Sequence, residues 1–258
     1  MTAIERVVKL DRVIVMTSLV VLSATAWAYT GYLAWKMEGM EMGMEMAMPQ
    51  MQRWTLVDLA LLFVMWTVMM VAMMVPSAAP MVLMFANVQR GRQQQQRPFV
   101  PTSVFLLGYL IIWTAFSMVA TFAQWGLHTA ALLSPMMIST SSLLGGVLLL
   151  IAGIFQWTPL KHTCLKHCRS PLGFLTTEWR EGTRGALFMG LKHGSYCTGC
   201  RWALMALLFV AGVMNLFWVA IIAVFVLIEK IVPNGHWFSK ATGLLFIGWG
   251  IWMILEVP

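Results

Sequence analysis

Apolar positions in this chain fall in long unbroken runs separated by short polar stretches, without the every-second-residue alternation of a half-buried strand. Seven runs stand out, at roughly Val13 to Trp35, Leu56 to Val75, Val104 to Trp125, Leu143 to Trp157, Trp202 to Met214, Leu216 to Ile231 and Thr242 to Leu255. A helix needs about 20 residues to cross a hydrocarbon core of about 30 Å. The pattern therefore predicts an all-α integral membrane protein, a bundle of about seven transmembrane helices in one polytopic domain, 1–258. The fourth and fifth runs are short, and the fifth reads as beginning near Gly185 in a bent or re-entrant helix. Pro76 and Pro80 predict a kink or an end of the second helix near Val75, with carbonyls freed there. "RGRQQQQRP" at 90–98 reads as a polar loop.

Composition agrees with that reading. Apolar residues make up 60% of the 258, charged residues only 10%, and 13 are Trp, too few charges to cover a soluble domain of this size. A closed barrel is disfavoured because the runs do not alternate. The start has the outline of a secretory signal, with Arg6, Lys9 and Arg12 before an apolar stretch and "AWA" at 26–28. The stretch continues to Trp35, long enough to span, so we read it as an uncleaved first helix.

Charge sets the expected orientation. With the N-terminus inside, 15 of the 17 Lys and Arg fall on the inner side and only Lys36 and Arg53 outside. This implies a multi-pass protein of the bacterial inner (cytoplasmic) membrane with a cytoplasmic N-terminus. The net charge of +7 is then explained by an inner face lying against anionic lipid, and no nucleic-acid partner is implied.

Two clusters carry candidate chemistry. The first is "KMEGMEMGMEMAMPQM" at 36–51, with seven methionines in sixteen residues. It falls in the first external loop, 36–53. Thioethers there resist oxidation to disulfides and are soft ligands that select Cu(I), while Glu38, Glu41 and Glu45 attract a cation. Met40, Met42, Met44, Met46 and Met48 are the candidate collectors; a tether or a segment resting on the membrane is the competing reading. Methionines continue into the second run, where Met65, Met69 and Met73 share one helical stripe and Met70 and Met74 flank it. The M-x3-M spacing is similar to the pore motif of eukaryotic high-affinity copper transporters. Core packing is the simpler role for such a stripe.

The second cluster is an internal Cys/His-rich region, 158–201, holding all four cysteines: Cys164 and Cys168 in "TPLKHTCLKHCRSP", Cys197 and Cys200 in "KHGSYCTGCRW". The charge rule puts this region on the reducing side, where paired C-x3-C and C-x2-C spacings read as a metal site before they read as disulfides. Helical spacing puts His193, Cys197 and Cys200 on one face and Cys164 with Cys168 on another. Two such edges suit a four-thiolate Zn(II) site, or two or three thiolates on Cu(I). His162, His167 and His193 are nearby nitrogens. Lys161, Lys166, Arg169, Lys192 and Arg201 favour thiolates. A redox-active C-x2-C and inert packed cysteines are the other readings.

"AMMVPSAAPM" (72–81), "QWTPLKHTCLKHCRSPLGFL" (156–175), "GLKHGSYCTGCRWALM" (190–205) and "MNLFWVAIIAVFVLIEK" (214–230) resemble the blocks of a bacterial family of metal-binding integral membrane proteins, a domain-of-unknown-function family. The resemblance covers roughly 60–255 and implies metal binding at the cysteine blocks. One departure is that Arg201 stands where that family's C-x-x-C-C-W pattern has a third cysteine.

Other polar residues have simpler expectations. Glu229 and Lys230 read as an interfacial pair, with Glu229 turned into the bundle as the functional alternative. Asp58 reads as a helix cap or the mouth of a cation path. Gln156 and Asn215 read as interhelical hydrogen bonders. "LLGG" (143–146) and "GLLFIGWG" (243–250) read as close helix contacts, with a partner subunit as one candidate neighbour. No nucleophile with a positioned base, phosphate-binding loop or aspartyl-phosphate signature is present, which excludes an ATP-driven pump on this chain and gives no sign of an enzyme. The sequence thus points to copper(I) capture, transport or delivery. The alternative is an accessory or assembly subunit of a membrane complex with a structural zinc–thiolate site, and a third is a thiol oxidoreductase.

Overall fold

The computed structural model describes residues 3–44, 55–95, 100–130, 141–213, 215–232 and 235–256; side chains in the first helix are described for 13–36 only, and those of 94, 235 and 236 are not described. Among the described residues ten helices follow in order: α1 (Ala3–Met44), α2 (Leu56–Gln94), α3 (Thr102–Thr129), α4 (Ser142–Phe155), α5 (Pro159–Arg169), α6 (Pro171–Glu178), α7 (Gly182–Ala206), α8 (Leu208–Ala211), α9 (Leu216–Ile231) and α10 (Gly235–Leu255). No strand occurs among the described residues. The all-helical class is as expected. The number of long apolar helices is slightly below the seven expected: among the described residues five are long and apolar enough to cross a membrane, or six if the α4–α5 pair, bent by 65°, is one broken span. The fifth expected run takes in α8 and the end of α7, which starts at Gly182; α9 is only 16 residues long.

Local chemistry explains the boundaries. Thr55 caps α2 in a capping box, its hydroxyl accepting from the Asp58 N–H while the Asp58 carboxylate accepts from the Thr55 N–H at 2.9 Å. Asp58 is thus a capping residue. Asn215 likewise caps α9 rather than bridging helices. Thr158 and Ser170 cap α5 and α6, each followed by a proline at the first helical position, so the chain turns twice between α4 and α6. Gly212, at φ 93°, supplies the left-handed turn that ends α8.

α2 departs from the expectation that its prolines end it. It runs 39 residues through Pro76 and Pro80 and takes in Arg90 to Gln94, so the polar loop begins later than 90. Pro76 has no N–H to give to the Ala72 carbonyl four residues back. The indole of Trp27 on α1 donates to that carbonyl at 3.0 Å and compensates the lost bond. α1 also overruns its expected end: its helical backbone continues to Met44, through half of the methionine-rich segment. The side chains of Met40, Met42 and Met44, and all of Met46 and Met48, lie outside the described residues, as do 45–54.

α1 packs on α2, α2 on α3, α3 on α7, α4 on α10, and α5 on α7. Two of these contacts are backbone-close. A Cβ on Gly190 would overlap the Phe105 carbonyl, and one on Gly108 would overlap the Leu187 carbonyl, so α3 and α7 meet almost without intervening side chains. The α4–α10 pair is similar: a Cβ on Gly146 would lie 2.8 Å from the Gly250 carbonyl oxygen. The two small-residue runs therefore meet each other within one chain, not a partner subunit. The core holds Met65, Met69, Met70, Met73, Met74 and Met81 with Trp66, Phe85, Tyr109 and Trp113. The outside carries Val20, Leu61, Phe122 and Leu245, each more than half exposed, together with many other exposed large apolar side chains, as expected of helices that face lipid.

Candidate metal centre

The α4–α5 bend lays the short helix α5 across the middle of α7. α5 brings Cys168 inward at 1% exposure, and α7 presents Cys197 and Cys200 at 2% and 1%. Cys168 Sγ and Cys200 Sγ are 4.0 Å apart, close to the edge of about 3.8 Å of a tetrahedron with 2.3 Å metal–sulfur bonds. The Cys200 thiol also donates to the Cys197 carbonyl at 3.2 Å, as the i, i+3 spacing on one helix permits. Cys164 stands at the rim, half-buried, with its sulfur over Gly199, where a Cβ would come within 3.2 Å of it. All four cysteines are free. Among the described residues no three His, Cys, Asp or Glu side chains already surround a point that would hold an ion, so three sulfurs would have to move to share one.

The close α3–α7 approach brings Tyr109 to this cluster. Its hydroxyl lies 3.3 Å from Cys197 Sγ and 3.3 Å from the carbonyl of Met74, which flanks the α2 stripe just before Pro76. His193, one turn before Cys197, is wholly buried against Phe105, Tyr109 and Phe174, and neither ring nitrogen has a hydrogen-bond partner among the described residues. The other histidines stand apart. His167 stacks on Tyr196 at 4.5 Å with its Nδ1 against the Thr163 carbonyl, and His162 lines a shallow surface hollow with Lys166 and Arg169.

A buried charge network adjoins the thiols. Glu229 is fully buried and bridges Lys161, 2.5 Å away, and Arg201; Lys161 also donates to Ser239 at 2.9 Å and to Gln156. The Glu229–Lys230 surface pair is thus corrected: Glu229 faces inward and binds two other cations. Gln156 does bond between helices, accepting from Ser239 of α10 at 2.7 Å. Of the basic residues expected near the thiols, only Lys161 and Arg201 are inside. Lys166 is exposed, Lys192 pairs with Glu178 at 2.6 Å, and Arg169 donates to the Val232 carbonyl. Sequence reasoning missed Tyr109 and the convergence of Lys161, Arg201 and Glu229. The one available signal was Arg201 itself, a charge directly after a cysteine at the start of the apolar end of its helix.

The fold and its interior define a class: an all-helical bundle with apolar outer faces and reduced thiols gathered inside at a helix crossing. The chain belongs to the PpoB2 family, described as a copper chaperone, whose model matches residues 63–253. That match supports copper handling by this chain. It also replaces the expectation of a family without assigned function, while the metal-related character stands. The matched region holds all four cysteines and the α2 methionines and leaves out the methionine-rich segment before residue 63. No curated protein and no solved structure matches the chain.

Proposed function

We propose that the chain is a membrane-embedded copper chaperone that takes Cu(I) on Cys168, Cys197 and Cys200, with Cys164 at the entrance and His193 as an adjacent nitrogen. The observation that carries the reading is the 4.0 Å approach of Cys168 and Cys200 beside Cys197, buried in a chain of a copper-chaperone family. Thiolates are soft ligands and suit Cu(I). The α2 stripe gives a route: Met65, Met69 and Met73 are buried along one helix, and Tyr109 links the carbonyl of the next methionine, Met74, to the sulfur of Cys197. Met40, Met42, Met44, Met46 and Met48 would collect the ion outside, and the thiols would receive it further in, so ligand softness rises along the path. The apolar helices and the 15-to-2 distribution of Lys and Arg favour the bacterial inner membrane with a cytoplasmic N-terminus.

Copper retention after Cu(I) loading under reducing conditions tests this. One tightly held copper per chain is expected, lost in Cys168→Ser and in Cys200→Ser. Copper held equally by both variants, or zinc alone retained from a mixture of the two ions, would refute the reading and return the site to a structural zinc role in an accessory subunit.

A further inference from the structure

The charges around the thiols do not balance among themselves. Lys161, Arg201 and Lys230 are all buried, and one carboxylate, Glu229, opposes them. Arg201 acts electrostatically on Cys168, Cys197 and Cys200, Lys161 on Cys200, and Lys230 on Cys197 and His193. Arg201 Nη2 and Lys230 Nζ find no hydrogen-bond partner among the described residues. Buried cations are retained where something negative answers them. Glu229 answers Lys161 and Arg201 together with a single charge, and no carboxylate pairs with Lys230 among the described residues, so the set carries two positive charges beyond its one carboxylate. The acidic groups beside it are the thiols, together with the less acidic Tyr109 phenol.

The charge of the bound ion then matters. Three thiolates around a singly charged ion leave two negative charges, matching that excess of two positive charges. Around a doubly charged ion the same thiolates leave one. Ligand softness does not make this distinction, because thiolates bind both Cu(I) and Zn(II) well. We infer that Arg201 and Lys230 are specificity-determining residues that favour a singly charged soft cation over a doubly charged one at the Cys168–Cys197–Cys200 thiols. Arg201, which stands where the resembling pattern has another cysteine, thus supplies a charge in place of a ligand. The inference rests on the proposed copper site but is separable from it, because it concerns the ratio of two affinities rather than the existence of one.

The test is competition of purified full-length protein in detergent against a Cu(I) chelator and, separately, a Zn(II) chelator. Lys230→Met keeps the length of the side chain and removes a charge that has no ion-pair partner among the described residues. Its Cu(I)-to-Zn(II) affinity ratio should fall about tenfold or more, as expected for one charge lost in a buried setting. Lys230→Arg and Arg201→Lys keep the charge and should hold the ratio within about twofold. Arg201→Gln is the second neutral variant and should lower the ratio in the same direction; a general loosening of the site would lower both affinities and leave the ratio in place. Neutral variants with an unchanged ratio, in protein that still binds Cu(I), would overturn the charge assignment alone. Wild-type protein that binds no Cu(I) would overturn both this inference and the proposed function.

Discussion

Replacing Glu229 with Gln should be the most damaging single change of charge in this chain. Its carboxylate sits wholly buried between Lys161 and Arg201. At an effective dielectric of about 20, each contact at about 4 Å is worth about 4 kcal/mol before desolvation is counted. Glu229→Gln removes both attractions and leaves two buried cations facing each other. Breaking such a site from one side costs about 3–5 kcal/mol. Lys161→Met is the contrasting variant. It leaves the Glu229–Arg201 pair neutral and intact, and Ser239 still donates to Gln156 at 2.7 Å. Glu229 keeps Arg201 as its partner, so no uncompensated buried charge is left, and the desolvation cost of burying Lys161 is relieved as its bonds to Glu229, Gln156 and Ser239 are lost; about 1 kcal/mol or less is expected. For a chain of this size, about 1 kcal/mol moves the melting temperature by about 2–4 °C. Glu229→Gln should therefore melt roughly 10 °C lower and Lys161→Met within about 3 °C of wild type. Thermal unfolding followed with a thiol-reactive fluorophore suits the measurement, because three of the four cysteines are buried until the bundle opens. Lys161→Met falling as far as Glu229→Gln would refute the reasoning, since it would make the lysine rather than the carboxylate the hub.

Gly190→Ala should destabilise by at least about 2–3 kcal/mol, because its Cβ meets the Phe105 carbonyl, whereas Gly126→Ala, with open space around it, should be neutral or up to about 1 kcal/mol stabilising; melting curves check both. Tyr109→Phe removes the hydroxyl beside Cys197 and Met74 and should cost about 1 kcal/mol and weaken Cu(I) binding several-fold in chelator competition. Trp27→Phe should cost about 1 kcal/mol by leaving the Ala72 carbonyl without its donor, with no change in copper stoichiometry. Leu at Met40, Met42, Met44, Met46 and Met48 together should reduce cellular copper uptake while melting stays near wild type; unchanged copper levels would leave that segment as a tether.

The sequence made the helices legible and hid most of the interior. Long apolar runs announce helices because a lipid-facing helix must be apolar along its whole length, whatever it packs against. Boundaries depended on partners that one chain segment does not reveal. α2 survives its prolines because Trp27, 45 residues earlier in the chain, donates to the freed carbonyl. α1 continues to Met44 because Met and Glu are good helix formers, which outweighs Gly39 and Gly43. The meeting of α5 and α7 was legible in the spacing of the cysteines, which stand in two pairs about one helical turn apart. Lys161 and Arg201 looked like two more inner-face cations. Their burial follows from Glu229, 68 and 28 residues away, and no local pattern encodes that pairing. Tyr109 was hidden for the same reason: only the glycine contact between α3 and α7 carries it to Cys197.

X-ray absorption at the copper edge on Cu(I)-loaded protein tests the central claim most directly, because it reports oxidation state and ligand type together. The account predicts a Cu(I) edge and a first shell of two or three sulfurs at about 2.3 Å, absent when Cys168, Cys197 and Cys200 are all replaced by Ser. A first shell of nitrogen or oxygen, or the same sulfur shell surviving in the triple variant, would contradict it.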